Sequence, residues 1–329
     1  MNDFKRNFDL NRAEAALNEN PWFSDMLKLW APPGWGPKLQ DLKQEKLKPH
    51  LRLAIRDGYL NFYSNGQSIA KVSTPKGEQL RAEIHNKYIH DFRDVCQGPH
   101  SQTYVQLTGK AYSCKLGDPK TGPVAYNNES LESLISKAAC YSGEEKKTVD
   151  QIVGWNPNII DMEMGLPSQD GSRKAVRMDL VNLEQRSSDG KWQIVFWEVK
   201  MATDSRLRCK QGDPEVFEQL ERYQNWIGPK NSDNQKRVAD AYVAACECYV
   251  CISNLAKSFG INVGNLGPGI QEVAEEKLAP FIHVEPRLLI VGTSDEIEEL
   301  EKRGHMGKIR DKGYIPKIFS QDDEMVLAS

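Results

Sequence analysis

The chain of 329 residues lacks any run of about 18 consecutive apolar residues, and its first residues, 1–6, contain no apolar segment. A membrane-spanning helix needs about 20 apolar residues, and a signal peptide needs an apolar core, so we expect neither. Its cysteines are few, odd in number (seven) and irregularly spaced, which argues against a secreted disulfide framework. We therefore expect a protein of the reducing cytoplasm that does not contact a membrane.

Several metal and nucleotide motifs are also missing. The six histidines form no H-x-x-x-H pair, and His283-Val-Glu285 lacks the downstream P-C-x-x-C of a zinc deaminase. The glycine-rich segment 264–269 lacks the Lys-Ser or Lys-Thr of a phosphate loop, which argues against ATP hydrolysis. Cys246, Cys248 and Cys251 lie in an apolar, helix-like stretch, so we interpret them as core residues rather than metal ligands.

Neither positive nor negative charge dominates the chain. The net charge is −3, with 39% hydrophobic and 27% charged residues, as in an ordinary globular protein. This balance excludes a basic module that coats nucleic acid, but it leaves room for an enzyme with a local basic stripe. Arg206-Leu-Arg208-Cys-Lys210 could be such a stripe, and a solvated loop is an equally good interpretation.

The most informative residues lie in two apolar segments that a glycine bend joins. Asp179 lies in the segment 177–181, and Glu198 and Lys200 close the segment 194–200. Gly190 allows a tight bend between them, which predicts an antiparallel hairpin. Because side chains alternate along a strand, Glu198 and Lys200 share one face. Two carboxylates and an ammonium group can thus meet at one point of a sheet. The alternatives are a structural ion pair of Asp179 with Arg177 and a solvated Glu198–Lys200 pair.

A helix should follow this hairpin. Asp213 is a suitable cap and Pro214 a suitable first residue for a helix that extends to Trp226. Gln219 and Tyr223 are four residues apart and therefore lie on one face of that helix.

The remaining pattern predicts an α/β fold with a mixed central β-sheet flanked by helices. In the second half, strands are predicted at 159–164, 176–184, 192–200 and 287–291, and helices at 234–258 and from Ser294. In the first half, residues 1–30 are predicted to be helical, and the Trp/Pro loop 30–37 is expected to fold back onto the core, with a docking loop or base-stacking platform as the alternative. Asn65-Gly66 predicts a β-hairpin. Residues 76–125 are predicted as a helix followed by strands, and 127–140 and 148–153 as helices.

The ordered set of Asp179, Glu198-Val-Lys200 and Gln219-x-x-x-Tyr223 resembles the PD-(D/E)XK nuclease superfamily, which has the restriction-endonuclease-like fold, and within it the RecB-like branch. Met178 replaces the proline of the family's name, at a position that varies in the family. The resemblance covers residues 146–293. It implies a nuclease core at 146–329, preceded by an N-terminal α+β region at 1–145 that serves recognition, regulation or dimerisation.

The resemblance also implies a set of site residues. Asp179, Glu198, the Val199 carbonyl and an upstream acid would hold Mg²⁺, for which Mn²⁺ could substitute. Glu163 is the first choice for that acid, with Asp161 as a competitor on its strand face and Glu144 and Glu145 as runners-up. Lys200 would position or deprotonate the attacking water. Gln219 and Tyr223 would orient Lys200 or contact the substrate backbone.

The function that follows from the resemblance is metal-dependent hydrolysis of nucleic acid, with DNA favoured over RNA. Defence against foreign DNA is the pathway that the family analogy favours. The N-terminal region could mediate a homodimer or bind a partner protein. The alternative function is a catalytically silent scaffold or a nucleic-acid-binding subunit of a larger complex.

Overall fold

The computed structural model of the chain is a mixed α/β protein with two β-sheets. It describes residues 4–35, 50–75, 79–89, 104–114, 124–125, 128–167, 177–209, 212–321 and 323–327. Val176, Lys210 and the end of the Trp/Pro loop, which the sequence analysis included, lie outside these residues.

The first sheet is an antiparallel meander in which each described strand pairs with the next along the chain. Its strands are β1 (Arg52–Ile55), β2 (Tyr59–Ser64), β3 (Gln67–Ser73), β4 (Arg81–His85), β5 (Tyr104–Thr108), β6 (Ala111–Cys114) and β7 (Val124–Ala125). The predicted hairpin is confirmed as β2–β3, because Asn65 and Gly66 both adopt the positive φ that its turn requires.

The helix predicted at the start of 76–125 is wrong for the described residues. Arg81–His85 is instead a strand whose buried and partly exposed residues alternate, and only Asn86–Tyr88 forms a short 3₁₀ turn. Pairing with β3 and β5 buries Ala82 and Ile84, so sheet packing decides the conformation of a charged segment.

The second sheet is mixed and lies in the second half of the chain. Its strands are β8 (Ile159–Gly165), β9 (Arg177–Gln185), β10 (Trp192–Met201), β11 (Phe281–Ile282), β12 (Arg287–Gly292) and β13 (Lys317–Ser320). The main order is β13-β12-β10-β9-β8, with β8, β9 and β10 antiparallel and β10, β12 and β13 parallel. This confirms the predicted strands and the antiparallel hairpin, whose bend contains Gly190 at φ 70°.

The described helices agree with most of the predicted helical segments. They are α1 (Leu10–Ala16), α2 (Pro21–Leu29), α3 (Asn128–Ala139), α4 (Glu144–Trp155), α5 (Val216–Ile227), α6 (Ser232–Ser258), α7 (Pro268–Glu276), α8 (Ser294–Lys302) and α9 (His305–Asp311). The predicted cap of α5 is wrong: the helix begins at Val216, and Asp213 instead forms an ion pair with Lys312.

Helices cover both faces of the second sheet. Val149 and Ile152 of α4 pack with Trp197 on one face, and Leu220 of α5 packs with Ile290 on the other. The long helix α6 is long and apolar enough to cross a membrane, although the sequence analysis expected no such helix. Its most apolar window is 61% buried inside the protein, as in a core helix.

Both sheets contribute to one hydrophobic core. Phe62 of the first sheet and Phe196 of the second belong to the same cluster of buried residues, together with Tyr249 of α6. The Trp/Pro loop joins this core as expected, because Trp30 is buried and stacks on Tyr249 with ring centroids 6.3 Å apart. The described N-terminal elements therefore pack against the second half of the chain and share a hydrophobic core with it.

A buried ionic cluster also joins the two halves. Asp161 of β8 accepts hydrogen bonds from Arg6 Nε at 3.0 Å, from the Tyr242 hydroxyl at 3.0 Å and from Arg56. A charge buried without partners is costly, so Asp161 depends on these three donors from distant parts of the sequence. Asp161 therefore has a structural role: it binds buried donors from both halves of the chain.

A second buried acid should give the stability a defined pH dependence. Asp150 of α4 accepts from Arg52 Nε at 3.2 Å and from His50 Nε2 at 2.8 Å. Burial opposes its charge, but Arg52 and His50 outweigh burial and lower its pKa to about 2. A lowered pKa means that Asp150 stabilises the fold fully above its unfolded pKa, near 4, and loses this contribution as the pH falls towards 2.

We expect Asp150→Asn to remove about 2 kcal/mol of stability at neutral pH. Below pH 4 the variant and the wild type should converge, because the wild type then loses the same contribution. Urea unfolding at intervals from pH 2 to pH 7 measures both curves. A constant difference between them over this range would contradict the assignment.

Candidate functional site

The candidate site lies where strands β9 and β10 part. Their ladder ends at the pair Leu180–Trp197, and beyond it β10 continues beside β12 alone. Beyond this pair, the Val199 N–H of β10 donates a hydrogen bond to Asp179 Oδ2 at 2.8 Å instead of to a main-chain carbonyl. The Asp179 side chain thus takes the place of a ladder partner and is fixed at the notch between the strands.

Lys200 connects the acidic groups at this notch. Its ammonium contacts the Glu198 carboxylate, the Val199 carbonyl at 2.9 Å and Asp179 Oδ2 at 3.8 Å. Glu198 and Lys200 are both almost completely buried, whereas Asp179 is partly exposed. The structure confirms the prediction that two carboxylates and an ammonium group lie together at one point of the sheet. We call Asp179, Glu198 and Lys200 the Asp–Glu–Lys site.

The carboxylates of this site are electrostatically crowded. Burial and then repulsion by Glu198 raise the pKa of Asp179 well above its usual value, although Lys200 and the Val199 N–H oppose this. Burial also raises the pKa of Glu198 against the opposing effect of Lys200. For Lys200, burial disfavours the charge, but Glu198 and Asp179 outweigh it and raise the pKa. Two carboxylates therefore face one ammonium group, and a further cation would favour their charged forms.

Glu145, in the first turn of α4, is the upstream acid that the fold brings to this site. It is close enough to Lys200 and Asp179 for their charges to interact, and burial raises its pKa. Arg206 holds it by a hydrogen bond to Glu145 Oε2 at 3.0 Å and also binds Asp204. Glu145 is only a runner-up among the acids predicted from sequence, and the Asp204–Arg206 pair that positions it is not among the predicted site residues.

Glu163, the first choice for that acid, is partly exposed on β8, and the flanking pairs Met162–Leu180 and Met164–Met178 place it across from Asp179. Its ion partners among the described residues are Lys146 at 3.9 Å and Arg177 at 4.0 Å. Its φ of 50° is left-handed. Asp161 is buried and Glu163 is partly exposed, so the two acids lie in different environments. Arg177 is therefore paired with Glu163, and the alternative Arg177–Asp179 ion pair does not form in the described structure.

Gln219 and Tyr223 lie on α5, over the sheet face that carries Glu198 and Lys200. Tyr223 packs on Phe196, with ring centroids 4.6 Å apart, two residues before Glu198 on β10. Within the described part of the chain, the buried Tyr223 hydroxyl and Gln219 Oε1 have no hydrogen-bond partner. Unpaired buried polar groups are costly and are common at functional sites. Neither side chain contacts Lys200 by a hydrogen bond within those residues.

The other candidate features have structural explanations. Arg206 of the proposed basic stripe is neutralised by Asp204 and Glu145, and Arg208 donates to the Ala202 carbonyl at 3.1 Å. Cys246 and Cys248 are buried in α6, as expected for core residues, and burial raises the pKa of the Cys246 thiol. The prediction is wrong for Cys251, which is exposed.

Oxygen donors for a metal ion are present at the Asp–Glu–Lys site. Carboxylate oxygens of Asp179 and Glu198 and the Val199 carbonyl all face one cationic group, and Glu198 Oε2 is buried without a hydrogen-bond partner among the described residues. Hard oxygen ligands of this kind suit Mg²⁺ or Mn²⁺. Across the same residues, no cluster of three or more His, Cys, Asp or Glu side chains has the spacing of a metal site. The donor set therefore fits such an ion only with the main-chain carbonyl as the third ligand.

Comparisons with known proteins do not assign the chain to a family. Neither the sequence nor the fold matches a protein-family model, a curated protein or a solved structure. Its function is therefore inferred from its own residues and their geometry.

Proposed function

We propose that the protein is a metal-dependent nuclease that hydrolyses phosphodiester bonds, with DNA as the favoured substrate. The observation that carries this proposal is the convergence of the Asp179 and Glu198 carboxylates and the Val199 carbonyl on the ammonium group of Lys200. Oxygen ligands beside a fixed cation suit an enzyme that must bind a metal ion and stabilise a phosphate.

The proposal extends to the fold and its organisation. The mixed order of the second sheet, with Asp179 and Glu198 on adjacent antiparallel strands, supports a restriction-endonuclease-like core within 146–329. Residues 1–145 would then be the N-terminal region for recognition, regulation or dimerisation. A cytoplasmic protein that acts on foreign DNA is consistent with this assignment.

Asp179, Glu198 and the Val199 carbonyl would hold Mg²⁺ or Mn²⁺, with Glu145 as the upstream acid. When bound, such an ion lowers the pKa of water and stabilises negative charge on a phosphate. Lys200 keeps its proton at neutral pH, because its carboxylate neighbours raise its pKa. It therefore acts as a hydrogen-bond donor that orients the attacking water and offsets the charge of the pentavalent phosphate, and this role is favoured over that of a general base.

The primary test is cleavage by the purified protein. Supercoiled plasmid, linear duplex, single-stranded DNA and RNA are each incubated with Mg²⁺, Mn²⁺ or EDTA. We expect cleavage with either metal, none in EDTA, and a preference for DNA. Absence of cleavage on every substrate would count against the proposal. A calorimetric titration with Mg²⁺ and Mn²⁺ would then distinguish a scaffold without ion affinity from a nuclease that a partner must activate.

The neighbouring residues Glu144 and Glu145 provide a matched pair of variants. The Glu145 side chain is 31% exposed and bound to Arg206, whereas the Glu144 side chain is 75% exposed and pairs only with Lys147 among the described residues. We expect Glu145→Gln to lower the rate of cleavage by about 10- to 100-fold, because it removes a negative charge beside the metal-binding residues. Glu144→Gln should retain the wild-type rate. Equal rates for the two variants would exclude Glu145 as the upstream acid.

A further inference from the structure

The outer side of the first sheet carries a continuous row of tyrosine rings and lysine ammonium groups. Lys71 Nζ lies 5.2 Å from the ring centroid of Tyr104 and 6.0 Å from that of Tyr59. Lys87 Nζ lies 4.8 Å from the ring centroids of both Tyr88 and Tyr141. We call these six residues the tyrosine–lysine surface.

The two halves of this surface are in contact. The ring of His85 lies 5.5 Å from that of Tyr104 and 6.0 Å from that of Tyr88, and the Tyr88 and Tyr141 centroids are 5.9 Å apart. Tyr88 is buried, and its ring packs against those of His85 and Tyr141. Tyr104 and Tyr141 are 39% and 49% exposed, so part of each ring is accessible to a ligand.

The surface carries uncompensated positive charge. Neither Lys71 nor Lys87 forms an ion pair with a carboxylate of the described structure, and Glu83, across from Lys71 in the β3–β4 ladder, lies 3.9 Å from Arg81. Burial and then repulsion by Lys146 lower the pKa of Lys87, so these two ammonium groups are close enough to repel each other. An anion between them would relieve this repulsion.

Tyr141 of this surface lies close in sequence to Glu145, which is beside the Asp–Glu–Lys site. Tyr141 precedes Glu145 by four residues, so their Cα atoms are at most about 14 Å apart. Lys146 follows Glu145 in α4, and the Asn65-Gly66 turn of the first sheet packs directly on Lys146. A ligand on Tyr141 would therefore lie near Glu145, whose charge interacts with Lys200 and Asp179.

We propose that the tyrosine–lysine surface binds single-stranded nucleic acid, with bases stacked on Tyr104 and Tyr141 and phosphates held by Lys71, Lys87 and Lys146. Alternating aromatic and cationic groups suit a single strand, because its unpaired bases expose their faces while its backbone carries one negative charge per nucleotide. A duplex hides those faces within its base stack. The claim that this strand is delivered to the Asp–Glu–Lys site rests on the proposed nuclease function, whereas the binding itself does not.

Binding is tested by fluorescence anisotropy with labelled 20-nucleotide single-stranded DNA, the same sequence as RNA, and the matching duplex, all in EDTA so that no cleavage occurs. We expect single strands to bind more tightly than the duplex. Tyr104→Ala and Tyr141→Ala should each weaken binding by about tenfold or more. Tyr104→Phe keeps the aromatic ring and should bind as tightly as the wild type. Lys87→Ala should reduce the slope of log K against log salt by about 0.7.

A matched control lies on the second sheet. Phe281 is also an exposed ring beneath a cation, with Arg186 4.1 Å from its centroid, so Phe281→Ala should leave binding unchanged. Unchanged affinity in the Tyr104→Ala/Tyr141→Ala double variant, or equal affinity for single strands and duplex, would overturn the assignment of this surface. Tight binding without cleavage in Mg²⁺ would instead retain the surface and count against the nuclease. Tighter binding of DNA or of RNA would identify which single strand the surface prefers.

Discussion

Replacement of Lys200 by methionine should abolish cleavage and retain metal binding. Methionine preserves the length and the apolar stem of the side chain but removes the ammonium group that contacts Glu198, Asp179 and the Val199 carbonyl. Because this group orients water and offsets charge on the phosphate, we expect the rate to fall by about 10³-fold or more. Cleavage assays with Mg²⁺, at enzyme concentrations high enough to measure this decrease, give the rate.

The same variant separates a chemical role of Lys200 from a structural one. Without Lys200, the buried Glu198 carboxylate has lost its cation, so the protein should be less stable in EDTA. Mg²⁺ should raise the melting temperature of the variant more than that of the wild type, because the ion neutralises the charge that Lys200 no longer balances. Asp179→Asn is the matched control: it should weaken both metal binding and cleavage. Wild-type cleavage by Lys200→Met would refute the assignment of Lys200.

The largest effect on stability is expected at Asp161. Asp161→Asn keeps the shape of the side chain but leaves Arg6 and Arg56 buried without a counter-charge. Breaking a buried ion pair in this way costs about 3–5 kcal/mol, which is a large fraction of the stability of a typical domain. Urea unfolding at pH 7 should show a lower midpoint with an unchanged slope.

Glu163→Gln is the control for this prediction, because Glu163 lies two residues further along the same strand. Its ion partners, Lys146 and Arg177, are at the surface and at the limit of ion-pair distance, so we expect a change of less than about 1 kcal/mol. If Asp161→Asn prevents folding, the double variant Arg6→Leu/Asp161→Asn should recover part of the stability, since one unpaired charge is removed. Similar unfolding midpoints for Asp161→Asn and Glu163→Gln would refute the structural role of Asp161.

Local sequence patterns were sufficient to predict much of the second sheet. Glu198 and Lys200 are two residues apart on a strand, so the alternation of side chains alone places them on one face. The glycine bend sets the hairpin, and the hairpin brings Asp179 next to Glu198. The Asn65-Gly66 turn in the first sheet is predicted by the same kind of local rule.

Two predictions from local sequence were wrong. The segment 81–85 was predicted as a helix, although its polar residues at alternate positions are the pattern of a half-buried strand, and its neighbours bury Ala82 and Ile84. Asp213 is a suitable helix cap by its residue type, but the helix begins at Val216, and Asp213 forms an ion pair with Lys312 at the end of α9. Such competition is decided by contacts between residues far apart in sequence.

The sequence by itself determined the mixed α/β pattern, the hairpin of the second sheet and the shared face of Glu198 and Lys200, because these depend on residues close together in the chain. Only the tertiary structure decided which acid joins them. Glu145 arrives with α4 and is held by Arg206, 61 residues later, whereas Glu163 is paired with Lys146 and Arg177. It also decided that Asp161 is paired with Arg6, 155 residues away. Burying a charge requires a partner wherever the chain can supply one, and sequence distance does not enter that requirement.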